Sequence, residues 1–236
     1  MRCKIAELQT EVPDAGGLSP RCKDYRCDDD VAADIVIRCE DYRIEHYDSR
    51  YEPEHIAYME SGWQFYRQLI DLGGMYIHSS AVVLDGKAYL FSGFCGAGKS
   101  THTRLWQQVF GPAARVINDD KPALRKIDGV WYAYGTPWCG KDGININERA
   151  PVVGLCFMKK ADHNAIRRLS QLEAMQKVLG QTLRRYESED KLDRMLVTLD
   201  QFLQEIPVYE LENKPEPEAV RLSYETMRAG AQEAGL

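Results

Sequence analysis

The sequence predicts an α/β domain around a mixed β-sheet, with a mainly helical C-terminal part. Three observations carry this. Two Asp-Gly turns, Asp85-Gly86 and Asp128-Gly129, each separate apolar runs of strand length and read as two-residue β-hairpins. Between them an apolar strand over 88–91 runs into a glycine-rich loop and out into a helix. From Ser170 onward apolar residues recur mostly at helical spacing.

Residues 1–30 are polar, rich in Asp, Gly and Pro, and lack a clear period, so they read as an N-terminal arm free to be mobile. Residues 31–236 then form one domain in three parts. In 31–74, Ile35 and Ile37 alternate with their neighbours, and 42–47 alternates again, predicting two short strands. A helix over 57–72 follows and stops at Gly73-Gly74. In 75–160, the core of the domain, 75–84 pairs with 87–92 and 124–127 pairs with 130–134. A helix over 98–109 and a strand over 115–118 lie between the hairpins, and 152–158 is an apolar strand. In 161–236, Ser170 and Glu173 form a capping box for a helix reaching Arg184. A second helix covers 190–204, a strand 206–211 and a last helix 217–227.

Composition narrows the function classes. A net charge of −6 gives no general attraction to nucleic acid or acidic membranes. No apolar run approaches the roughly 18 residues of a membrane span, and the N-terminus lacks the apolar core of a secretory signal. A cytoplasmic location is the expectation. The seven cysteines include no CxxC pair. Cys22 and Cys27 stand near Asp28 to Asp30, but their spacing is loose for a metal knuckle, so free thiols in a reducing compartment are expected.

The glycine-rich loop is the strongest motif. Gly93, Phe94, Cys95, Gly96, Ala97, Gly98, Lys99 and Ser100, followed by Thr101, match G-x-x-x-x-G-K-[ST] at every fixed position. Glycines permit backbone conformations and close approaches that side chains forbid. The loop amides and the positive end of the following helix then face phosphate oxygens. Lys99 reaches the terminal phosphates and the Ser100 hydroxyl suits Mg²⁺, so the sequence predicts a nucleoside triphosphate site.

Two further constellations gather around it. Pairing Leu84 with Lys87 and counting back sets His78 opposite Gly93, where it is either an acid–base or phosphate-contacting group or a strand-end histidine bonded to backbone. Asp119 and Asp120 end the strand that follows the helix. One carboxylate can hold Mg²⁺ and the other can accept a proton from an attacking hydroxyl, and their mutual repulsion calls for a cation nearby. Counting the second hairpin back past Pro122 sets Asp119 near Trp138 and Asp120 near Pro137, so the 135–141 loop should overhang them. Trp138 then reads as a substrate clamp or a core aromatic, and Lys141 as a charge for the transferring group or a solvated lysine.

The stretch from His78 to Thr101, the Ile117-Asn118-Asp119-Asp120 run and the Gly135 to Asn147 loop together resemble the catalytic domain of the HPr kinase/phosphorylase family. More narrowly, it resembles the short HPr-kinase-related members, over a stretch from about Met75 to Met158. It implies a kinase fold shared with ATP-dependent phosphoenolpyruvate carboxykinase, ATP and Mg²⁺ as ligands, and transfer of the γ-phosphoryl group to a hydroxyl. His78 falls on the family's active-site histidine, Lys99 and Ser100 on its phosphate-loop pair, Asp119 on its general base and Asp120 on its metal-side aspartate. Lys141 stands where the family carries an arginine. The relatives form oligomers, so a homo-oligomer is open for this chain too. Full-length relatives carry a separate N-terminal domain that the residues before Met75 are too few to supply, so the acceptor is left as a peptide, a protein or a small molecule. Two rival readings stand beside the kinase: a carboxykinase-like enzyme acting on a small carboxylic acid, and a nucleotide-binding regulator without turnover.

Overall fold

The computed structural model describes residues 1–14, 18–29, 31–182 and 188–236. Strands β1 (Arg2–Ile5) and β2 (Leu8–Glu11) form an antiparallel hairpin, a single helical turn α1 (Leu18–Arg21) follows, and β3 (Ile35–Val36) joins β2 in parallel. Cys3, Ile5, Leu8 and Ile35 bury one face of this small sheet against Phe65, Tyr66 and Leu69 of helix α2 (Pro53–Asp71). The described residues of the expected arm therefore contribute to the core. Its strands are only four residues long, with Arg2 and Lys4 alternating outward, so the period of two is lost among polar neighbours. The second predicted strand also differs. Ile44–His46 forms a 3₁₀ turn, and Tyr47 beyond it donates its hydroxyl to the buried Glu60 at 2.6 Å.

Helix α2 leads into β4 (Gly74–Tyr76), β5 (Ser79–Leu84) and β6 (Lys87–Ser92), then helix α3 (Lys99–Phe110), β7 (Arg115–Asp120), β8 (Ala123–Ile127), β9 (Val130–Tyr134) and the long β10 (Arg149–Lys160). After β11 (Ala165–Arg168) come α4 (Gln171–Leu179), α5 (Glu189–Glu205), β12 (Val208–Asn213) and α6 (Pro217–Glu233). The C-terminal part thus adds a strand that the sequence reading lacked. β11 is short, polar and mostly exposed, and it is held by its ladder to β12 rather than by an apolar pattern. The predicted capping box is present: Ser170 N–H donates to Glu173 at 2.9 Å and Glu173 N–H returns the bond to Ser170 Oγ. That helix ends at Leu179, and the part of its predicted extension over 183–184 lies outside the described residues.

Among the described residues, β4 to β12 make one curled, mixed sheet. It runs β4-β8-β9-β10-β6-β5-β7, and the second half of β10 also pairs with β12. Both predicted hairpins have the predicted register, Leu84 opposite Lys87 and Ile127 opposite Val130. Alternate residues of β5 and β6 serve opposite faces. Ala81, Val83, Ala88 and Leu90 join the core under α4 and α5, while Val82, Leu84, Tyr89 and Phe91 pack with Trp106 of α3 and Val220 and Met227 of α6. Burial on both faces is why these strands read as near-continuous apolar runs.

Strand direction positions the site. β6, β10 and β12 run parallel, and β7 shares their direction because both it and β6 are antiparallel to β5. The C-terminal ends of all four, and the start of β5, therefore open on one sheet edge, where open α/β sheets bind ligands. No described helix is long and apolar enough to cross a membrane.

Candidate active site

At the middle of that edge the chain leaves β6 through the 93–98 loop and enters α3 at Lys99. Gly93, Gly96 and Gly98 adopt φ values of 148°, 80° and 99°. At Gly93 space forbids a side chain as well, since a Cβ would lie 2.9 Å from Ala97 Cβ and 3.0 Å from the Met158 carbonyl. Phe94 and Cys95 are exposed. Lys99 curls back, its Nζ donating to the Gly93 carbonyl at 3.0 Å. Burial lowers its pKa, with Asp120, Cys95 and Asp119 pulling the other way.

His78 immediately precedes β5, and its carbonyl accepts from Ser92 Oγ at 2.8 Å, which ties it to the last residue of β6. Its ring is clamped from two sides. Nε2 lies 2.8 Å from Asp120 Oδ1 and Nδ1 lies 3.0 Å from Gln181 Oε1, while its backbone N–H donates to the Gln181 carbonyl at 2.6 Å.

Asp119 and Asp120 end β7, and both line the same cleft although consecutive strand residues ordinarily face opposite sides. The backbone breaks the alternation at Asp120, whose φ of 143° is strained for a residue other than glycine. The two carboxylates then part company. Asp120 meets His78 through Oδ1 and the Lys121 ammonium through Oδ2. Burial pushes its pKa up, but the His78 hydrogen bond and the Lys121 charge outweigh burial and hold it well below the usual carboxylate range. Asp119, 6% exposed, accepts from Ser80 through Oδ1 and has no partner for Oδ2 among the described residues. The cation demanded by two adjacent carboxylates is Lys121.

The 135–141 loop crosses the carboxylates two positions away from the extrapolated register. Asp120 pairs with Cys139, and Gly140 N–H donates to the Asp119 carbonyl at 2.5 Å. The hairpin count fails past Pro122, which has no N–H to continue the ladder. Trp138 consequently belongs to the core and does not line the cleft. It is 1% exposed, stacks on Phe65 with ring centroids 4.6 Å apart, and donates from Nε1 to Ser61 Oγ at 3.0 Å. Lys141 does line the cleft, beside an Arg104–Asp142 ion pair. From the N-terminal segment, Arg21 donates to the Cys139 carbonyl at 3.3 Å and to the Gly140 carbonyl at 3.4 Å, bracing this loop.

The result is a cleft of about 820 Å³, within the usual range for small-ligand sites, shared by the loop residues 95–101, His78, Asp119, Asp120 and Lys141. A hard cation suits the hydroxyl of Ser100 and a carboxylate oxygen, and Ser100, Asp119 and Asp120 reach the same cleft. Sequence reasoning missed Ser80 and Gln181 as supports and gave Lys121 no part beside the carboxylates. Ser80 faces Asp119 across the β5–β7 ladder, and that long-range pairing leaves no local pattern.

No family model matches this chain, and no curated protein matches it either. Among solved structures, it is similar to the Hpr(Ser) kinase/phosphatase from Coxiella burnetii, with a TM-score of 0.39 and 12% identity over 66% of this chain and 98% of that one. A likeness that loose carries no argument about function.

Proposed function

We propose that this protein is an ATP-dependent kinase, of the HPr kinase and phosphoenolpyruvate carboxykinase type, that transfers the γ-phosphoryl group to a hydroxyl of a peptide, protein or small molecule. The observation that carries the reading is convergence: the glycine loop, Lys99, two differently partnered carboxylates and His78 reach one cleft from separate strands. The unpaired oxygen of Asp119 in that cleft is the group that proton transfer from an acceptor hydroxyl would need.

The loop amides and the start of α3 cradle the phosphates, and Lys99 swings from the Gly93 carbonyl to the terminal phosphate oxygens. Asp119 is the base. Its free Oδ2 accepts the acceptor's proton as the hydroxyl oxygen bonds to the γ-phosphorus, and the bond to the β–γ bridging oxygen breaks to release ADP. Asp120 is held ionised and is too weak a base to compete. It fixes the His78 ring and the Lys121 side chain beside the path of transfer. Ser100 and Asp120 would hold Mg²⁺, which would supply charge neutralisation and leave Asp119 Oδ2 for the proton.

The test is to incubate the protein with Mg²⁺, ATP and hydroxyl-bearing peptides, proteins and metabolites, and to follow added phosphate by mass spectrometry. Asp119→Asn should lower transfer by about a hundredfold to ten-thousandfold and leave ATP affinity within about twofold. Loss of binding and transfer together would make Asp119 structural or a metal ligand instead. Tight ATP binding with no phosphorylated product from any acceptor would favour a regulator.

A further inference from the structure

On the flank away from the carboxylates, β10 and β12 end side by side, with Lys160 as the ladder partner of Asn213. The backbone here is tied down. The Asn213 carbonyl accepts from Ala161 N–H at 3.1 Å, and Lys214 N–H donates to Asn164 Oδ1 at 2.9 Å. Asn164 in turn donates to Glu216 at 2.8 Å. The Asn213 side chain is left over. The residue is 3% exposed, yet its Oδ1 has no hydrogen-bond partner among the described residues. A buried amide carbonyl without a donor is costly and calls for an explanation. Asn213 lines the cleft, and Ala161 and Pro215 give it apolar walls there.

We propose that this corner is the nucleobase subsite, and that Asn213 makes the cleft select adenine over guanine. The inference rests on the reading that the cleft holds a nucleoside triphosphate. The phosphates would lie at the central glycine loop and the acceptor would approach Asp119 on the β7 side, so the base has the β10–β12 flank. The unpaired atom is an acceptor, so its missing partner is a donor. At position six adenine carries a donor amine and guanine carries an acceptor oxygen. An asparagine amide, one donor beside one acceptor, complements the amine and ring nitrogen of adenine, whereas guanine held in the same pose would set oxygen against oxygen. Ala161 and Pro215, which line the same corner, offer apolar contact to a purine. Lys160, which also lines this corner, is the group that would serve guanine's oxygen instead, so nucleotide choice reads out which side chain governs.

Calorimetry on the full chain with Mg²⁺ tests this, using four probes: ATP, GTP, purine riboside triphosphate (which lacks only the six-position amine) and inorganic tripolyphosphate. ATP should bind about tenfold or more tighter than GTP and than the amine-free analogue. Asn213→Leu should bring ATP down to the level of the analogue, with tripolyphosphate within about twofold of wild type. Equal affinity of the wild type for ATP and the analogue overturns the inference and needs no variant to fold. Binding of all four probes with equal affinity leaves the phosphate site standing and removes the base subsite. Failure of ATP and tripolyphosphate alike takes the underlying reading down as well.

Discussion

On the β5–β7 flank of the glycine loop, Asp120 holds His78 and Lys121, Ser80 holds Asp119, and Gln181 holds His78 from behind. On the β10–β12 flank, Asn213 keeps an unpaired oxygen and Lys160 is exposed. The difference separates two tasks. Charged groups that act on a reacting centre work best when already oriented, because no free energy is then spent turning them during reaction. Groups that recognise a ligand can be left short of a partner, because the ligand supplies it and a wrong ligand does not. Between the flanks lies the loop that serves both.

The largest expected effect comes from that shared element. Lys99→Ala removes an ammonium anchored on the loop, and both ATP affinity and transfer should fall, transfer by about a hundredfold to a thousandfold. Equilibrium binding and single-turnover transfer measure the two separately. Unchanged ATP affinity would show that the loop amides alone hold the phosphates, and that Lys99 belongs functionally to the carboxylate flank.

Gln181→Ala breaks the comparison more selectively. It removes the Oε1 that holds His78 Nδ1 but leaves the backbone bond from His78 N–H in place. The ring can then rotate away from Asp120, and turnover should drop about tenfold. The affinity for ATP and its margin over GTP should not move, because Asn213 lies on the other side of the loop. A matching loss in ATP binding would mean that the two flanks are coupled rather than separate.

How much of the fold and the site was legible in the sequence depends on the range of the interactions. The loop at 93–100, both hairpin registers and the place of His78 beside the start of that loop were readable, since each is set by residues close in the chain. Trp138 and the Asp120–Cys139 pairing were misplaced because the count crossed Pro122, where the ladder stops. The first strands were hidden for a different reason. They are too short to show a period, and their burial depends on Phe65 and Leu69 far along the chain. Gln181 and Asn213 carry no motif at all. Their roles come from where α4 and β12 end, a tertiary fact with no local signature. Lys121 alone could have been found, as the cation beside two carboxylates that repel each other.

The smallest effect concerns the stability that the prepared flank gains or loses by holding a charge. Asp120 has its folded-state pKa depressed, with burial opposing and His78 and Lys121 prevailing. A carboxylate of this kind stabilises the fold above its unfolded-state pKa of about 3.9 and loses that contribution as the pH falls towards the folded-state value. Asp120→Asn keeps the shape and the strained backbone while removing the charge. At pH 7 the wild type should melt higher by about 2–4 °C for each kcal/mol that the ion pairs contribute, and the gap should close below about pH 4. Thermal melts of both proteins from neutral pH down to acid unfolding would show it. A variant that melts higher than wild type at pH 7 would mean that the cost of burying the charge exceeds what His78 and Lys121 return. In that case the flank would hold its carboxylate against stability, and the strain at Asp120 and the cost of its charge would both be tolerated for the chemistry.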